Sequence, residues 1–277
     1  DGSELSYDDN GNPLLAPEYF ADPNGLPGVS ISLLDFSDPN VAGLFGDDLI
    51  IGGDGNDRLF GQLGNDSIYG DEGPTASSSL LGDDYVEGGD GDDLIVGGFG
   101  QDDLIGGNSD LFGLNTALVR ADGADEIYGG QQQTAPLSQL GNTSSNAHAV
   151  DADVVLGDNG RIYRLVDDTG QLLTYGYDSY DPNWMLVPRT VALLDYSPGQ
   201  SASIGGDDAV HAGVGDDQVF GMAGNDILFG GGQDDDGVGH GFACFGCRGC
   251  LERARPRYHV QSAGGKTPQT FLRVPGT

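Results

Sequence analysis

Nine residues, Gly52-Gly53-Asp54-Gly55-Asn56-Asp57-Arg58-Leu59-Phe60, are followed at once by nine more of the same grammar, Gly61-Gln62-Leu63-Gly64-Asn65-Asp66-Ser67-Ile68-Tyr69. Further copies begin at Gly88, Gly97, Ala212 and Gly221. The shared pattern is G-G-x-G-x-D-x-U-x, where U is a large apolar residue. A short fixed period of this kind implies a stack of small turns, each packing only on its neighbours. Glycine at positions one, two and four opens backbone conformations with φ > 0 that residues with a Cβ avoid. Positions seven to nine then form a very short strand whose middle residue points inward and whose neighbours point out. Two nonapeptides complete one coil, with one turn on each side. A Gly-rich, acidic disordered segment is the competing reading. Random Gly and Asp bias, however, would not keep an apolar residue two places after each aspartate.

Twelve units fit the chain. Their position-six residues are Asp48, Asp57, Asp66, Asp84, Asp93, Asp102, Asp125, Asp153, Asp208, Asp217, Asp226 and Asp235. The inward residues are Ile50, Leu59, Ile68, Val86, Ile95, Leu104, Ile127, Val155, Val210, Val219 and Leu228, and the twelfth unit has Gly237 where an apolar residue belongs. Alternation puts Asp48, Asp66, Asp93, Asp125, Asp208 and Asp226 in one row, and Asp57, Asp84, Asp102, Asp153, Asp217 and Asp235 in the other. Six coils at ~4.8 Å each give a roll roughly 29 Å long. Loop carbonyls turned inward and the position-six carboxylates are hard oxygen ligands, which suit Ca²⁺. Row neighbours are expected to share ions, so several Ca²⁺ ions are expected.

This grammar resembles the RTX (haemolysin-type calcium-binding) repeat family over most of residues 43–236. The resemblance implies an all-β, right-handed parallel β-roll with Ca²⁺ in its turns. It also implies a large secreted or surface-attached bacterial protein exported by a one-step (type I) route, although no C-terminal secretion signal is recognisable.

The chain has 44 acidic and 11 basic residues, a net charge of −33. Its 49 glycines and 37% hydrophobic content point to a thin, ladder-like core rather than one thick one. Stacked carboxylates repel, so the empty roll is expected to be unstable, and bound cations turn binding energy into folding energy. The acidic surface argues against nucleic acid as a partner. No apolar run approaches 18 residues, so no transmembrane helix is expected.

A longer period lies over the short one. Ile31-Ser32-Leu33-Leu34-Asp35-Phe36-Ser37 matches Val191-Ala192-Leu193-Leu194-Asp195-Tyr196-Ser197 at an offset of 160, as Gly46-Asp47-Asp48 matches Gly206-Asp207-Asp208. Residues 1–42 therefore read as a partial insertion leading into the roll, and the chain as a piece of a longer tandem array.

Four insertions interrupt the roll, at about 74–81, 108–121, 131–150 and 161–204. The first three are rich in Ser, Asn, Gln and Ala and read as flexible loops. In the fourth, Arg161–Val166 and Gln171–Tyr175 flank Asp167-Asp168-Thr169-Gly170 and read as a β-hairpin. This insertion also carries Tyr175, Tyr177, Tyr180, Trp184 and Met185. They read as a satellite core, with a platform for a cell-surface glycan or a protein as the alternative.

The grammar stops after Asp236. Residues 1–236 hold 43 acids and 5 bases, whereas residues 237–277 hold 1 acid and 6 bases together with Cys244, Cys247 and Cys250. Three readings of this tail stay open: a zinc site using the cysteines with His240 or His259, a basic interaction tail, or sequence that is not native to the fold and is disordered.

No His-Glu-x-x-His or Gly-x-Ser-x-Gly motif is present. Of the four histidines, His211 takes an outward position nine and reads as a surface residue. Adjacent acids such as Asp92-Asp93 suggest a glycosidase pair, but the nonapeptide already accounts for the second of each. A structural, calcium-binding spacer or adhesin-like array is expected rather than an enzyme. A glycan- or protein-binding module, or an accessory domain of a secreted hydrolase, are the alternatives.

Overall fold

The computed structural model describes residues 33, 46–73, 82–131, 149, 151–167, 169–175, 185–197, 203–231, 235–239, 243–245 and 251–252. Among them run β1 (Leu49–Ile51), β2 (Arg58–Leu63), β3 (Ser67–Tyr69), β4 (Tyr85–Asp90), β5 (Leu94–Val96), β6 (Asp103–Ile105), β7 (Glu126–Tyr128), β8 (Val154–Leu156), β9 (Gly160–Arg164), β10 (Arg189–Leu193), β11 (Ala209–Gly213), β12 (Gln218–Phe220), β13 (Ile227–Gly231), β14 (Asp236–Gly239), β15 (Ala243–Phe245) and β16 (Leu251–Glu252). β1–β8 and β11–β14 each begin at the residue after a position-six aspartate. The nonapeptide thus sets the start of each of these twelve strands.

Strands alternate between two parallel seven-stranded sheets, ordered β1-β3-β5-β7-β11-β13-β15 and β16-β14-β12-β8-β6-β4-β2. This is a parallel β-roll. Position eight pairs with position eight throughout: Ile68 with Ile95, Ile95 with Ile127 and Ile127 with Val210 on one sheet, Val86 with Leu104, Leu104 with Val155 and Val155 with Val219 on the other. The insertions leave this register intact. A slip of one residue would turn every apolar side chain outward.

The core is the expected single file. Ile68, Val86, Ile95, Leu104, Ile127, Val155, Val210, Val219 and Leu228 are fully buried, with Ile50 and Leu59 partly buried against them. Ala212, a position-one residue, joins the same file.

A second apolar layer lies on the outer face of the β2-containing sheet. Tyr85, Ile105, Val154 and Leu156 from the roll pack with Phe112, Ile162 and Met222. Leu33 and Leu193, related by the 160-residue offset, both reach this cluster, and Leu33 donates its N–H to the Phe112 carbonyl at 2.8 Å.

Two expectations about the insertions are corrected here. β9 pairs antiparallel with β10, Ile162 opposite Val191, and not with Gln171–Tyr175. The expected turn does form, since Asp167 Oδ1 accepts the N–H groups of Thr169 and Gln171. Beyond it the expected hairpin is short: the antiparallel bridge from Val166 to Leu172 is flanked by the Asp167 N–H on the Gln171 carbonyl at 2.8 Å and the Leu173 N–H on the Leu165 carbonyl at 2.9 Å. The long-range pairing wins because it buries Ile162 against the roll. Residues 108–121 were expected to be a flexible loop, yet Phe112 and Leu114 are buried and Arg120 forks onto Asp195 at 2.7 and 2.9 Å. Glu87, buried on the roll, accepts hydrogen bonds from Tyr85 Oη at 2.5 Å and the Ser109 N–H at 3.1 Å. Composition missed these anchors because a few apolar residues, and not the polar majority, fix the segment. The segments at 74–81 and 132–148 lie outside the described residues.

Arginines complete the attachment. Arg164 Nε meets Asp103 at 2.8 Å and its Nη1 meets Asp83 at 3.1 Å, while Arg189 Nε meets the other oxygen of Asp103 at 3.0 Å. Arg161 pairs with Asp110.

Strand pairing continues past Asp236. Val219 pairs with Gly237 in β14, Leu228 with Cys244 in β15, and Val238 with Leu251 in β16. Gly237 is buried at the inward position, so a small residue there does not stop the strand. Parallel pairing therefore outlasts the sequence grammar by one coil. Residues 253–277 and the side chains of Cys244, Cys247 and Cys250 lie outside the described residues.

Because the core is one residue wide, each member carries a large share of it. Leu104→Ala is expected to cost about 2–5 kcal/mol in urea unfolding at millimolar CaCl₂. Leu118→Ala, at a side chain 94% exposed, is expected to stay within about 0.5 kcal/mol.

Candidate metal centre

The twelve position-six aspartates stand in the two rows the sequence predicts. In the first, Asp66, Asp93, Asp125, Asp208 and Asp226 each use Oδ1 to accept the backbone N–H of the preceding member, from Asp48 onward, at 2.7, 2.7, 2.8, 2.9 and 3.3 Å. In the second, Asp84, Asp102, Asp153, Asp217 and Asp235 do the same, from Asp57 onward, at 2.8, 2.8, 2.8, 2.9 and 3.3 Å. One oxygen of each of these ten carboxylates therefore ties coil to coil.

The other oxygen is left over. Oδ2 of Asp57, Asp66, Asp84, Asp93, Asp102, Asp125, Asp153, Asp208, Asp217, Asp226 and Asp235 is enclosed and meets no donor. Asp48, in the first coil described, is not among these. In nine of these units, those of Asp57, Asp66, Asp84, Asp93, Asp102, Asp125, Asp153, Asp208 and Asp226, Oδ2 lies over the position-one glycine of its own unit. At Gly97 an added Cβ would overlap both Asp102 Oδ2 and the carbonyl oxygen of Gly129, the position-one glycine of the next coil. At Gly97 a side chain would therefore displace the carboxylate oxygen and the neighbouring carbonyl that converge there. A second carbonyl column runs through position four, where Gly100 sits at φ +150° and a Cβ would strike the Gly82 carbonyl oxygen.

Enclosed, donor-free carboxylate oxygens beside backbone carbonyls fit a hard cation, which accepts both ligand types. Among the described residues no group of three or more His, Cys, Asp or Glu side chains converges as a metal cage. A cation here would be held by one or two carboxylates completed by carbonyls.

Electrostatics point the same way. Burial, and then the repulsion of neighbouring aspartates, pushes these carboxyl groups up. Asp84 and Asp93 rise to about 7, Asp208 to about 8 and Asp226 to about 9. Asp102, Asp125, Asp153 and Asp217 also lie well above the usual carboxylate range, for the same causes. A divalent cation reverses that penalty by replacing like charge with opposite charge.

Position five carries a second ladder that the sequence reading left as a free position. Asp47 Oδ1 accepts the Asn65 N–H at 3.0 Å, Asn65 Oδ1 that of Asp92 at 3.1 Å, and Asp92 Oδ1 that of Ala124 at 2.9 Å. It runs counter to the position-six ladder, with the earlier coil accepting. The recurrence of Asn or Asp before the invariant aspartate was its signal. His211, expected at the surface, is half-buried between Tyr128 and Phe229, with ring centroids 4.8 Å away on each side. Tyr175 is exposed, while Tyr177, Tyr180 and Trp184 lie outside the described residues.

Two parallel sheets joined by stacked turns, with a row of carboxylates along each edge, define the class of calcium-binding β-rolls built from nonapeptides. Residues 43–74, 80–110 and 204–236 match the family model described as the RTX calcium-binding nonapeptide repeat, in four copies, and these segments are repeats of that family. No curated protein and no solved structure matches the chain.

Raised carboxyl groups make a definite pH prediction. Where the folded-state value exceeds the unfolded one, stability is present below the unfolded value and is lost as pH rises through the folded value. With calcium removed by chelation, acidification from pH 9 toward pH 5 is therefore expected to increase the folded fraction, read by far-UV circular dichroism. A folded fraction that falls over this range would contradict it.

Proposed function

We propose that residues 43–236 are a calcium-folded roll in which the twelve position-six aspartates hold several Ca²⁺ ions. The roll serves as a rigid spacer or adhesin-like array segment of a secreted or cell-surface bacterial protein. The observation that carries this is the pair of rows of enclosed, donor-free Asp Oδ2 atoms. Bound Ca²⁺ would supply the missing opposite charge to those atoms, while Oδ1 and the backbone N–H groups hold the coils in register.

The RTX repeat is a structural calcium-binding repeat, and the side chains that line the rows have a non-catalytic use. Among the described residues no helix is long and apolar enough to cross a membrane. The 160-residue offset favours an array over an accessory domain of a hydrolase. Export unfolded, followed by folding in a calcium-rich medium, suits a chain whose empty state repels itself. Exposure of Leu172 (38%) and Tyr175 (41%) in the fourth insertion favours a second use, as a platform for a cell-surface glycan or protein.

Extracellular calcium modules typically bind at about 10⁻⁴–10⁻³ M. Circular dichroism of the chain at pH 7.5 is expected to show little β-signal in EGTA and a full one in millimolar CaCl₂. Equal signals in both conditions would contradict the proposal.

A further inference from the structure

Four aspartates outside the nonapeptide's position six turn into the roll instead of facing water. Each stands at the root of one insertion. Asp71 precedes the 74–81 segment, Asp122 follows 108–121, Asp151 follows 131–150, and Asp158 precedes 161–204. They occupy positions two, three, four and two of their units, three of which the pattern reserves for glycine. Asp71 is 5%, Asp151 3% and Asp158 0% exposed, and both carboxylate oxygens of Asp122 are enclosed.

The four meet as two pairs. Asp71 and Asp151 come from the coils on either side of the turn Gly97–Asp102. Asp71 Oδ2 accepts the Phe99 N–H at 2.7 Å, and Asp151 Oδ1 accepts that of Gly100 at 3.0 Å. Two carboxylates thus hold consecutive amides of one turn, while Asp71 Oδ1 is enclosed and accepts nothing. In the other row Asp158 accepts the N–H groups of Gly206 at 3.0 Å and Ala223 at 2.5 Å. The Asp122 carboxylate stands against that of Asp158, acceptor facing acceptor, and neither of its oxygens meets a donor.

Two carboxylates brought together away from water repel unless a cation or a proton lies between them. We propose that each pair holds one further Ca²⁺ ion, Asp71 with Asp151 and Asp122 with Asp158, in addition to the ions of the position-six rows. This rests on the calcium reading above. All the candidate ligands are hard oxygens, completed by carbonyls of the glycine-rich turns, which is the chemistry Ca²⁺ accepts. Each ion clips the point where the chain leaves or rejoins the roll to a neighbouring coil. That clip explains how Ile95 still pairs with Ile127 across one insertion, and Leu104 with Val155 across two.

Asp71→Asn and Asp122→Asn test the proposal, because the oxygens they neutralise accept no hydrogen bond. In Asp71→Asn the remaining oxygen keeps the Phe99 N–H. Bound calcium is counted by equilibrium dialysis of the full chain at saturating CaCl₂, with folding checked by circular dichroism. Each variant is expected to fold and to hold one ion fewer than wild type, and the double variant two fewer. Asp122→Ser, smaller and equally neutral, is expected to give the same loss as Asp122→Asn. Folded variants with the wild-type count would overturn the proposal and assign a shared proton to each pair. Failure of the calcium reading itself is distinct, since wild type would then bind no calcium and keep its β-signal in EGTA.

Discussion

Like charge repeated at the spacing of a β-ladder governs this molecule. A parallel sheet sets neighbouring strands about 4.8 Å apart, and the nonapeptide places one aspartate per turn. The rows must therefore carry a carboxylate in every coil. Oδ1 finds a partner in the backbone of the preceding coil, and Oδ2 finds none. The core cannot offset that repulsion generously, because it is a single file of one apolar side chain per strand. On the proposed reading, stability then depends on the cations that enter the rows.

The chain's own positive charge is directed elsewhere. Residues 1–236 contain five basic residues. Four of them, Arg120, Arg161, Arg164 and Arg189, pair with Asp195, Asp110, Asp83 and Asp103. None of those partners is a position-six aspartate. The arginines fasten the β9–β10 ribbon and the 108–121 segment to the outer face of one sheet, away from the rows. Buried ion pairs of this kind fix geometry more reliably than they add stability. Asp103, shared between Arg164 and Arg189, serves as the register pin between ribbon and roll.

Much of the fold was legible because period nine is unambiguous. Ile68, Ile95 and Leu104 fall inward as the spacing requires, and the alternation of Asp57, Asp84 and Asp102 against Asp66 and Asp93 follows from two turns per coil. The outer layer was not legible. Position nine is apolar on both sheets, as with Val96 on one and Ile105 on the other, so nothing local tells which face will be covered. The segment from Arg161 to Tyr175 satisfies hairpin chemistry on its own. The partner that displaces it, Val191, lies beyond the aromatic stretch and is chosen by burial against Leu156 and Ile105. Arg164 and Arg189 alternate like surface residues and are buried only because Asp103 awaits them. At the site, the aspartate rows were readable, whereas Asp71 and Asp158 look in sequence like ordinary substitutions of a glycine.

Shared ions between stacked coils predict that a position's importance grows with the number of coils it touches. Calcium titration of folding should therefore separate an interior aspartate from a terminal one. Asp93 links the coils of Asp66 and Asp125 on both sides, while Asp48 is exposed and comes first in its row among the described residues. Asp93→Ala is expected to raise the calcium midpoint severalfold and to flatten the transition, and Asp48→Ala to change either only slightly. Equal shifts for the two variants would show independent sites and contradict ion sharing along the rows.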